Sequence, residues 1–375
     1  MSERRKVCFV LPSLAGGGAE RAAVQILNGL DASRWDRSMY LFRGEGPYLG
    51  ELSSDVRLHT GTSATRFARW RELRRFIAAT NPDLVVAFLS YFTVLSAVRA
   101  ALTGAKVIFN QQTPMSAFLA DADYKWRRPL RRRGFSAVTR IGYAAADLVI
   151  TSSRGVAKDL SEAFGVDPSR VRVVPNPVDL EAVQTAAAEP LDPAHQERWR
   201  QPVIVAAGRL ADAKNYPLLI EALSLVRAHV PATLFVLGQG ERADDLRHLA
   251  AERGVGDAIV WCGFQSNPWK FMARADVFAL TSRYEGFGNV LVEAMACGVP
   301  AVATRSPGTE DIIRDGVDGV LTRHTPEAVA ASLTRVLSDR AERDRMAAAA
   351  RVSARRFATP AVAQSYDAVF AEALA

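Results

Sequence analysis

Two carboxylates, Glu285 and Glu293, stand eight residues apart in Ser282-Arg283-Tyr284-Glu285-Gly286-Phe287-Gly288-Asn289-Val290-Leu291-Val292-Glu293-Ala294. Gly286 and Gly288 keep the first in a loop, and the apolar run behind them predicts a helix that holds the second one turn in. Eight residues is about 800° of helix, so the two carboxylates would share one broad face even if both were helical. N–H groups at the start of that helix would cap a phosphate. A carboxylate with two acceptor oxygens suits a vicinal diol such as a ribose 2′,3′-pair. Burying Glu293 among Val292, Ala294 and Met295 is costly without partners. The plainer alternative is a helix-start carboxylate beside a surface glutamate.

A second group is Gly208-Arg209-Leu210-Ala211-Asp212-Ala213-Lys214-Asn215. Two cations five residues apart can grip a diphosphate from two sides, Arg with a fork and Lys with a point charge; otherwise the segment is a solvated basic loop. A third is Gly16-Gly17-Gly18-Ala19-Glu20-Arg21, where an anion or sugar hydroxyl could approach backbone N–H groups at a helix start. It lacks the spaced dinucleotide fingerprint and the Gly-Lys-Ser/Thr of a phosphate loop, and a tight strand-to-helix turn would also explain it. Tyr124-Lys125-Trp126-Arg127-Arg128-Pro129-Leu130-Arg131-Arg132-Arg133, and Arg66, Arg69, Arg71, Arg74 and Arg75, mix cations with aromatics. Either cluster suits an anionic lipid surface or a lipid diphosphate, or is a solvated helix face. Asp121 and Asp123 form an Asp-x-Asp, which is not expected to bind metal here.

These groups need a scaffold of strands and helices. Lys6–Leu11, Arg37–Phe42, Leu84–Phe88, Lys106–Asn110, Leu148–Ser152 and Val171–Val174 predict strands, with helices between them. After Pro175-Asn176-Pro177 a polar, Ala-rich stretch to about Gln201 predicts a linker. A second alternation follows, with strands at Val203–Ala207, Thr233–Leu237, Ile259–Trp261, Val277–Thr281, Pro300–Ala303 and Gly319–Leu321. Near-continuous apolar strands separated by helices imply parallel sheets covered on both faces. The expectation is an α/β protein of two doubly wound Rossmann-like domains facing across a cleft, with ligands at the carboxyl ends of the strands.

Composition narrows the function classes. The 375 residues are 49% hydrophobic and 23% charged, which excludes a disordered chain and a polytopic membrane protein. The apolar run Val7–Leu11 is too short for a secretory h-region. Cys8, Cys262 and Cys297 fit neither a disulfide framework nor a zinc site, so a reducing cytoplasm is expected. Residues 1–175 carry 26 Lys and Arg against 15 Asp and Glu, whereas residues 176–375 carry 21 against 25. The first half is therefore expected to meet something anionic. No nucleic-acid module accompanies that charge, so a nucleic-acid partner is not expected.

The Glu285…Glu293 pair, with Asp276–Ser282 before it and Ala294-Met295-Ala296-Cys297-Gly298-Val299-Pro300 after it, resembles the retaining glycosyltransferases of family four, which have the two-domain GT-B fold. The glycine loop at Gly16–Arg21, the pair Arg209 and Lys214, and Pro175-Asn176 match the family's pattern. The resemblance implies an N-terminal acceptor domain at 1–178, a linker at 179–201, a donor domain at 202–357, and a C-terminal helix at 358–375 packing back on the first domain. It implies that Glu285, Arg209 and Lys214 are catalytic. Gly17, Gly18, Gly208, Gly238, Phe264, Phe287, Gly288, Asn289 and Glu293 would bind the donor, a UDP-sugar before a GDP-sugar. No cofactor and no metal is implied. The acceptor would be a sugar or a polyprenyl-diphosphate-linked glycan, approached from the inner face of the plasma membrane, with Lys125, Arg128, Arg131 and Arg132 serving acceptor or membrane. A soluble acceptor, or a nucleotide-sugar sensor without turnover, are the alternatives. Where many family members carry a histidine, this chain reads Asn110-Gln111-Gln112, so Asn110 or Gln111 is expected to position donor or acceptor.

Overall fold

The computed structural model describes residues 4–15, 17–88, 104–120, 139–200 and 202–375. The chain divides into two units, one of residues 1–178 and 357–375, the other of residues 179–356.

In the first unit the strands are β1 (Arg5–Leu11), β2 (Trp35–Leu41), β3 (Arg57–Thr60), β4 (Leu84–Phe88), β5 (Lys106–Gln111), β6 (Leu148–Thr151) and β7 (Val171–Val173). All pair in parallel, in the order β3-β2-β1-β4-β5-β6-β7. Leu84–Phe88 is buried along its whole length, as a strand covered on both faces must be. β3 was not expected from the sequence. Arg-Leu-His-Thr offers no apolar run, and as the sheet's edge it is exposed throughout. The helices among the described residues include α1 (Gly18–Gly29), α2 (Arg66–Thr80), α3 (Met115–Ala120) and α4 (Arg154–Phe164).

The second unit opens with α5 (Leu180–Ala187) and α6 (Pro193–Arg198). Residues 179–201, expected as a linker, are thus largely helical. Asp179 caps α5 through its side chain, Val183 is buried, and Asn267 and Arg274 donate to the carbonyls of Ala186 and Ala187. Alanine favours helix strongly, and a polar, Ala-rich stretch docked through a few scattered apolar residues, Val183, Leu191 and Trp199, reads from sequence as a tether. β8 (Val203–Ala207), α7 (Tyr216–Arg227), β9 (Thr233–Leu237), α8 (Ala243–Glu252), β10 (Ile259–Gly263), α9 (Trp269–Met272), β11 (Val277–Leu280), α10 (Asn289–Ala296), β12 (Ala301–Thr304), α11 (Pro307–Ile312), β13 (Gly319–Thr322), α12 (Pro326–Ser338) and α13 (Arg340–Ala354) follow. Their parallel sheet runs β10-β9-β8-β11-β12-β13.

The last helix, α14 (Thr359–Leu374), belongs to the first unit. Val178 N–H donates to the Phe357 carbonyl at 2.8 Å where the chain returns. Tyr366 and Phe370 are fully buried, and the Phe370 ring meets Trp35 edge-on at 5.6 Å and Phe9 at 6.2 Å. The final residues therefore complete the first core. Phe370→Ala is expected to destabilise that unit by about 3–5 kcal/mol. Amide exchange should quicken in β1–β7 and stay unchanged in β8–β13, whereas uniform quickening would mean that the two cores unfold as one.

Candidate functional site

In an open parallel sheet a ligand crevice lies outside the carboxyl ends of the strands, where their order reverses. In the second unit that point falls between β8 and β11, which pair through Ile204–Val277 and Val205–Phe278. The loops leaving these strands are neighbours in space and distant in sequence. One carries Gly208, Arg209 and Lys214. The other carries Glu285, Phe287 and Gly288 and runs into α10 with Asn289 and Glu293.

Lys214 Nζ donates to Glu285 Oε1 at 2.5 Å, and Ser282 Oγ donates to the same oxygen at 2.6 Å. The Lys214 and Glu285 side chains are 26% and 12% exposed. Hydrogen bonds weld the two loops: Arg283 N–H donates to the Ala213 carbonyl at 2.9 Å, and the Thr281 side-chain hydroxyl is shared between the carbonyls of Lys214 and Asn215. The buried Tyr216 hydroxyl donates to the Gly208 carbonyl at 3.1 Å. Burial, and after it the charge of Glu285, pushes the Tyr216 phenol above its ordinary value, so it remains a neutral donor. Arg209 is exposed.

The strand ends beside this pair lie backbone on backbone. Gly208 N–H donates to the Leu237 carbonyl at 2.9 Å and Gly238 N–H to the Gly263 carbonyl at 2.7 Å. Gly238 has φ +151°, and a Cβ there would stand 2.0 Å from the Gly208 oxygen. Any other residue would displace the Lys214 loop. Phe264, just past Gly263, is 69% exposed.

On the opposite side α11 closes on the Glu285 loop. Gly308 N–H donates to the Glu285 carbonyl at 3.1 Å, and a Cβ on Gly308 would lie 2.5 Å from the Phe287 oxygen. Thr304 Oγ1 donates to the Ser282 carbonyl at 2.8 Å. The Phe287 ring is buried and anchors the loop, and Gly288 caps α10 with φ +100°. On α10, Glu293 Oε2 accepts from the indole N–H of Trp269 at 3.0 Å. Burial first, then Glu293, pushes the Cys297 thiol up to about 12, and burial does the same for Cys262. Neither is a thiolate near neutrality.

Sequence reasoning missed Trp269, Gly308 and Thr304. Ser306-Pro307-Gly308 carried a turn signal, but nothing local marks Trp269, because its partner is 24 residues away.

The first unit holds Gly17, the N-cap of α1, and Gly18, its first residue. Asn110 and Gln111, expected to position donor or acceptor, sit in side-chain networks of the first unit. Both side chains are buried and bonded to protein through both ends of the amide. Asn110 Nδ2 donates to the Tyr366 hydroxyl at 2.7 Å, and its Oδ1 accepts from Gln112 Nε2. Gln111 Nε2 donates to the Thr113 carbonyl at 2.6 Å, and its Oε1 accepts from the Tyr143 hydroxyl at 2.8 Å. Gln112, which sequence reasoning passed over, leaves a buried Oε1 without a partner among the described residues. Asp121, Asp123, Lys125, Arg128, Arg131 and Arg132 lie outside the described residues.

Comparison with known proteins agrees with the geometry. The family model "Glycosyltransferase Family 4" matches residues 16–182, and "Glycosyl transferases group 1" matches residues 189–353. The chain belongs to the family-four glycosyltransferases. It is 34% identical, over 48% of its length and 47% of the relative's, to the N-acetylgalactosamine-N,N′-diacetylbacillosaminyl-diphospho-undecaprenol 4-alpha-N-acetylgalactosaminyltransferase of Campylobacter jejuni. It is 32% identical, over 56% of its length and 59% of the relative's, to the lipopolysaccharide core biosynthesis glycosyltransferase LpsE of Rhizobium meliloti. The matches thus span about half the length of these curated relatives. The crystal structure of Anabaena HepE in complex with UDP superposes with a TM-score of 0.79 at 21% identity, covering 98% of this chain and 100% of that one. The fold is GT-B, with two parallel-sheet Rossmann-like domains.

In this glycosyltransferase family member the Gly208–Gly238 contact sets the position of the Lys214 loop. Gly238→Ala is expected to destabilise the second unit by at least about 2 kcal/mol, from positive-φ strain and overlap together. Gly256→Ala, whose new Cβ would find only ordinary contacts, should stay within about 1 kcal/mol. Equal urea midpoints for the two variants would contradict the close packing of these strand ends.

Proposed function

We propose that the chain is a retaining, metal-independent glycosyltransferase. It would move a hexosyl or N-acetylhexosaminyl group from a UDP-sugar to a sugar or polyprenyl-diphosphate-linked glycan, in assembly of a cell-surface polysaccharide or glycolipid. The observation that carries this reading is the meeting of Lys214 with Glu285 at the β8/β11 reversal. There a cation for a diphosphate and a carboxylate for sugar hydroxyls stand within one hydrogen bond of each other. Family membership supports the same reading, as does the UDP bound by HepE.

In this proposal Arg209 and Lys214 hold the donor diphosphate. The bond to the anomeric carbon breaks toward an oxocarbenium-like transition state beside a departing diphosphate. Fixed positive charge at the leaving oxygens is the most direct help, and losing one such donor typically costs about 2.7–4 kcal/mol. Glu285 orients hydroxyls of the transferred sugar, with Ser282 and the Gly308 N–H holding it in place. Backbone groups of Phe287, Gly288 and Asn289 meet the sugar and β-phosphate at the start of α10. Glu293 accepts from the ribose diol while Trp269 fixes its carboxylate, and Phe264 packs near the base. The donor phosphate takes the acceptor's proton, so no side-chain base is needed.

The basic first half fits an acceptor on an anionic membrane surface, so we place the protein in the cytoplasm, peripheral on the inner leaflet. No helix among the described residues is long and apolar enough to cross a membrane.

The test is a hydrolysis screen of nucleotide-sugars, followed by transfer to polyprenyl-diphosphate sugars. Glu293→Ala should weaken donor binding by up to about 1.5–3 kcal/mol for each charge-assisted hydrogen bond lost, with Trp269→Phe weakening it less. Unchanged donor affinity in calorimetry would overturn the ribose assignment. Transfer should also persist in excess EDTA, because Arg209 and Lys214 supply the charge a metal would otherwise bring; loss with chelator and return with magnesium would overturn that part.

A further inference from the structure

Helix α2 turns an outer face to solvent that carries cations and no acid. Its inner side puts Leu73 and Ile77 into a core cluster with Tyr40 and Phe42. Its outer side carries Phe67, Arg71, Arg74 and Arg75, all exposed. Their spacing of i, i+4, i+7 and i+8 makes one stripe. The Phe67 ring is 68% exposed. It stacks on Trp70 at 5.9 Å and 28°, with the Arg71 guanidinium 5.9 Å from its centroid.

The helix's one acid, Glu72, is engaged elsewhere. Its carboxylate accepts from the backbone N–H groups of Thr62 and Ser63 at 3.0 and 3.1 Å. Arg69 also turns aside, its Nε donating to the Ser63 carbonyl at 2.8 Å. Among the described residues no carboxylate pairs with Arg71, Arg74 or Arg75. A solvated helix face ordinarily interleaves both signs. Three like charges within two turns repel one another, and an anionic partner relieves that repulsion.

We propose that this face is a docking surface for an anionic lipid bilayer, with Phe67 entering the headgroup region and the three arginines on lipid phosphates. It rests on the reading that the acceptor is lipid-linked. The composition decides between anionic partners. An exposed aromatic beside exposed arginines on one helix face is the make-up of an interfacial anchor. Nucleic-acid phosphates would take the same arginines, but a duplex backbone offers no apolar layer for the exposed Phe67 ring, which a headgroup region does. Each arginine near an anionic leaflet contributes about 1 kcal/mol, a contribution that falls off within a Debye length.

The experiment is sedimentation of the full-length protein with vesicles of phosphatidylcholine, with and without phosphatidylglycerol, at low and raised salt. Wild type should partition onto the anionic vesicles only, and less as salt rises. The triple variant Arg71→Gln, Arg74→Gln, Arg75→Gln should lose on the order of a hundred-fold in partitioning, and Phe67→Ser a smaller factor. Both variants change exposed residues, so donor hydrolysis should match wild type and report an intact fold. Equal partitioning of the triple variant and wild type overturns the proposal. So does wild-type binding that ignores phosphatidylglycerol, or retention on duplex DNA without vesicle binding. If docking follows the arginines but transfer succeeds only with water-soluble acceptors, the docking face stands and the lipid-linked acceptor falls.

Discussion

Lys214 and Glu285 are separated by 71 residues, and they meet because β8 and β11 are adjacent. That adjacency follows from the reversal of strand order, which places β9 and β10 on one side of β8 and β11–β13 on the other. Everything else at this edge serves the pair. Gly238 lets the Lys214 loop sit on the neighbouring strand end, Gly308 and Thr304 hold the Glu285 loop from behind, and Tyr216 and Thr281 fix the turn between them. A partly buried ion pair is a poor device for stability, because desolvating the charges offsets much of their attraction. In the proposed function, a lysine and a glutamate kept 26% and 12% exposed at a strand reversal would be ligand contacts arranged in advance. Neither group must find its rotamer when a diphosphate arrives, which lowers the entropic cost of binding.

Much of this was legible in the sequence. β4, β8 and β9 occupy the residues that their apolar runs predict, because strands buried on both faces have no solvent side to interrupt the pattern. The loops carrying Lys214 and Glu285 were legible as loops because glycines and charges end the apolar runs of β8 and β11, whereas the meeting of the two side chains, 71 residues apart, was not. The failures share one cause. β3 is an exposed edge held by backbone pairing to β2, α5 is held by side chains from residues 267 and 274, and the Trp269 indole meets Glu293, 24 residues on. Each depends on a partner remote in the chain, and no local pattern records it.

Asn110 and Gln111 take up roles inside the first unit itself. Their position at the carboxyl end of β5 suggests a ligand contact. Yet the first core is finished by α14, whose Tyr366 hydroxyl is buried and needs a hydrogen-bond partner. Asn110 supplies it and accepts from Gln112, while Gln111 bonds separately to Tyr143 and Thr113. The Asn110 amide thus ties the first unit's own last helix to its sheet. The Gln112 Oε1, unpartnered among the described residues, is the acceptor that this network leaves over.

The central claim is that the paired loops at the β8/β11 reversal bind a nucleoside diphosphate. The most direct measurement is calorimetric titration of the full-length protein with UDP, comparing Lys214→Met with Lys158→Met, a surface lysine of α4 paired to Glu162. The account predicts that Lys214→Met weakens UDP binding at least about tenfold, the lower end of what losing one hydrogen bond to a charged group costs, while Lys158→Met binds as wild type does. Equal UDP affinity in both variants would contradict it.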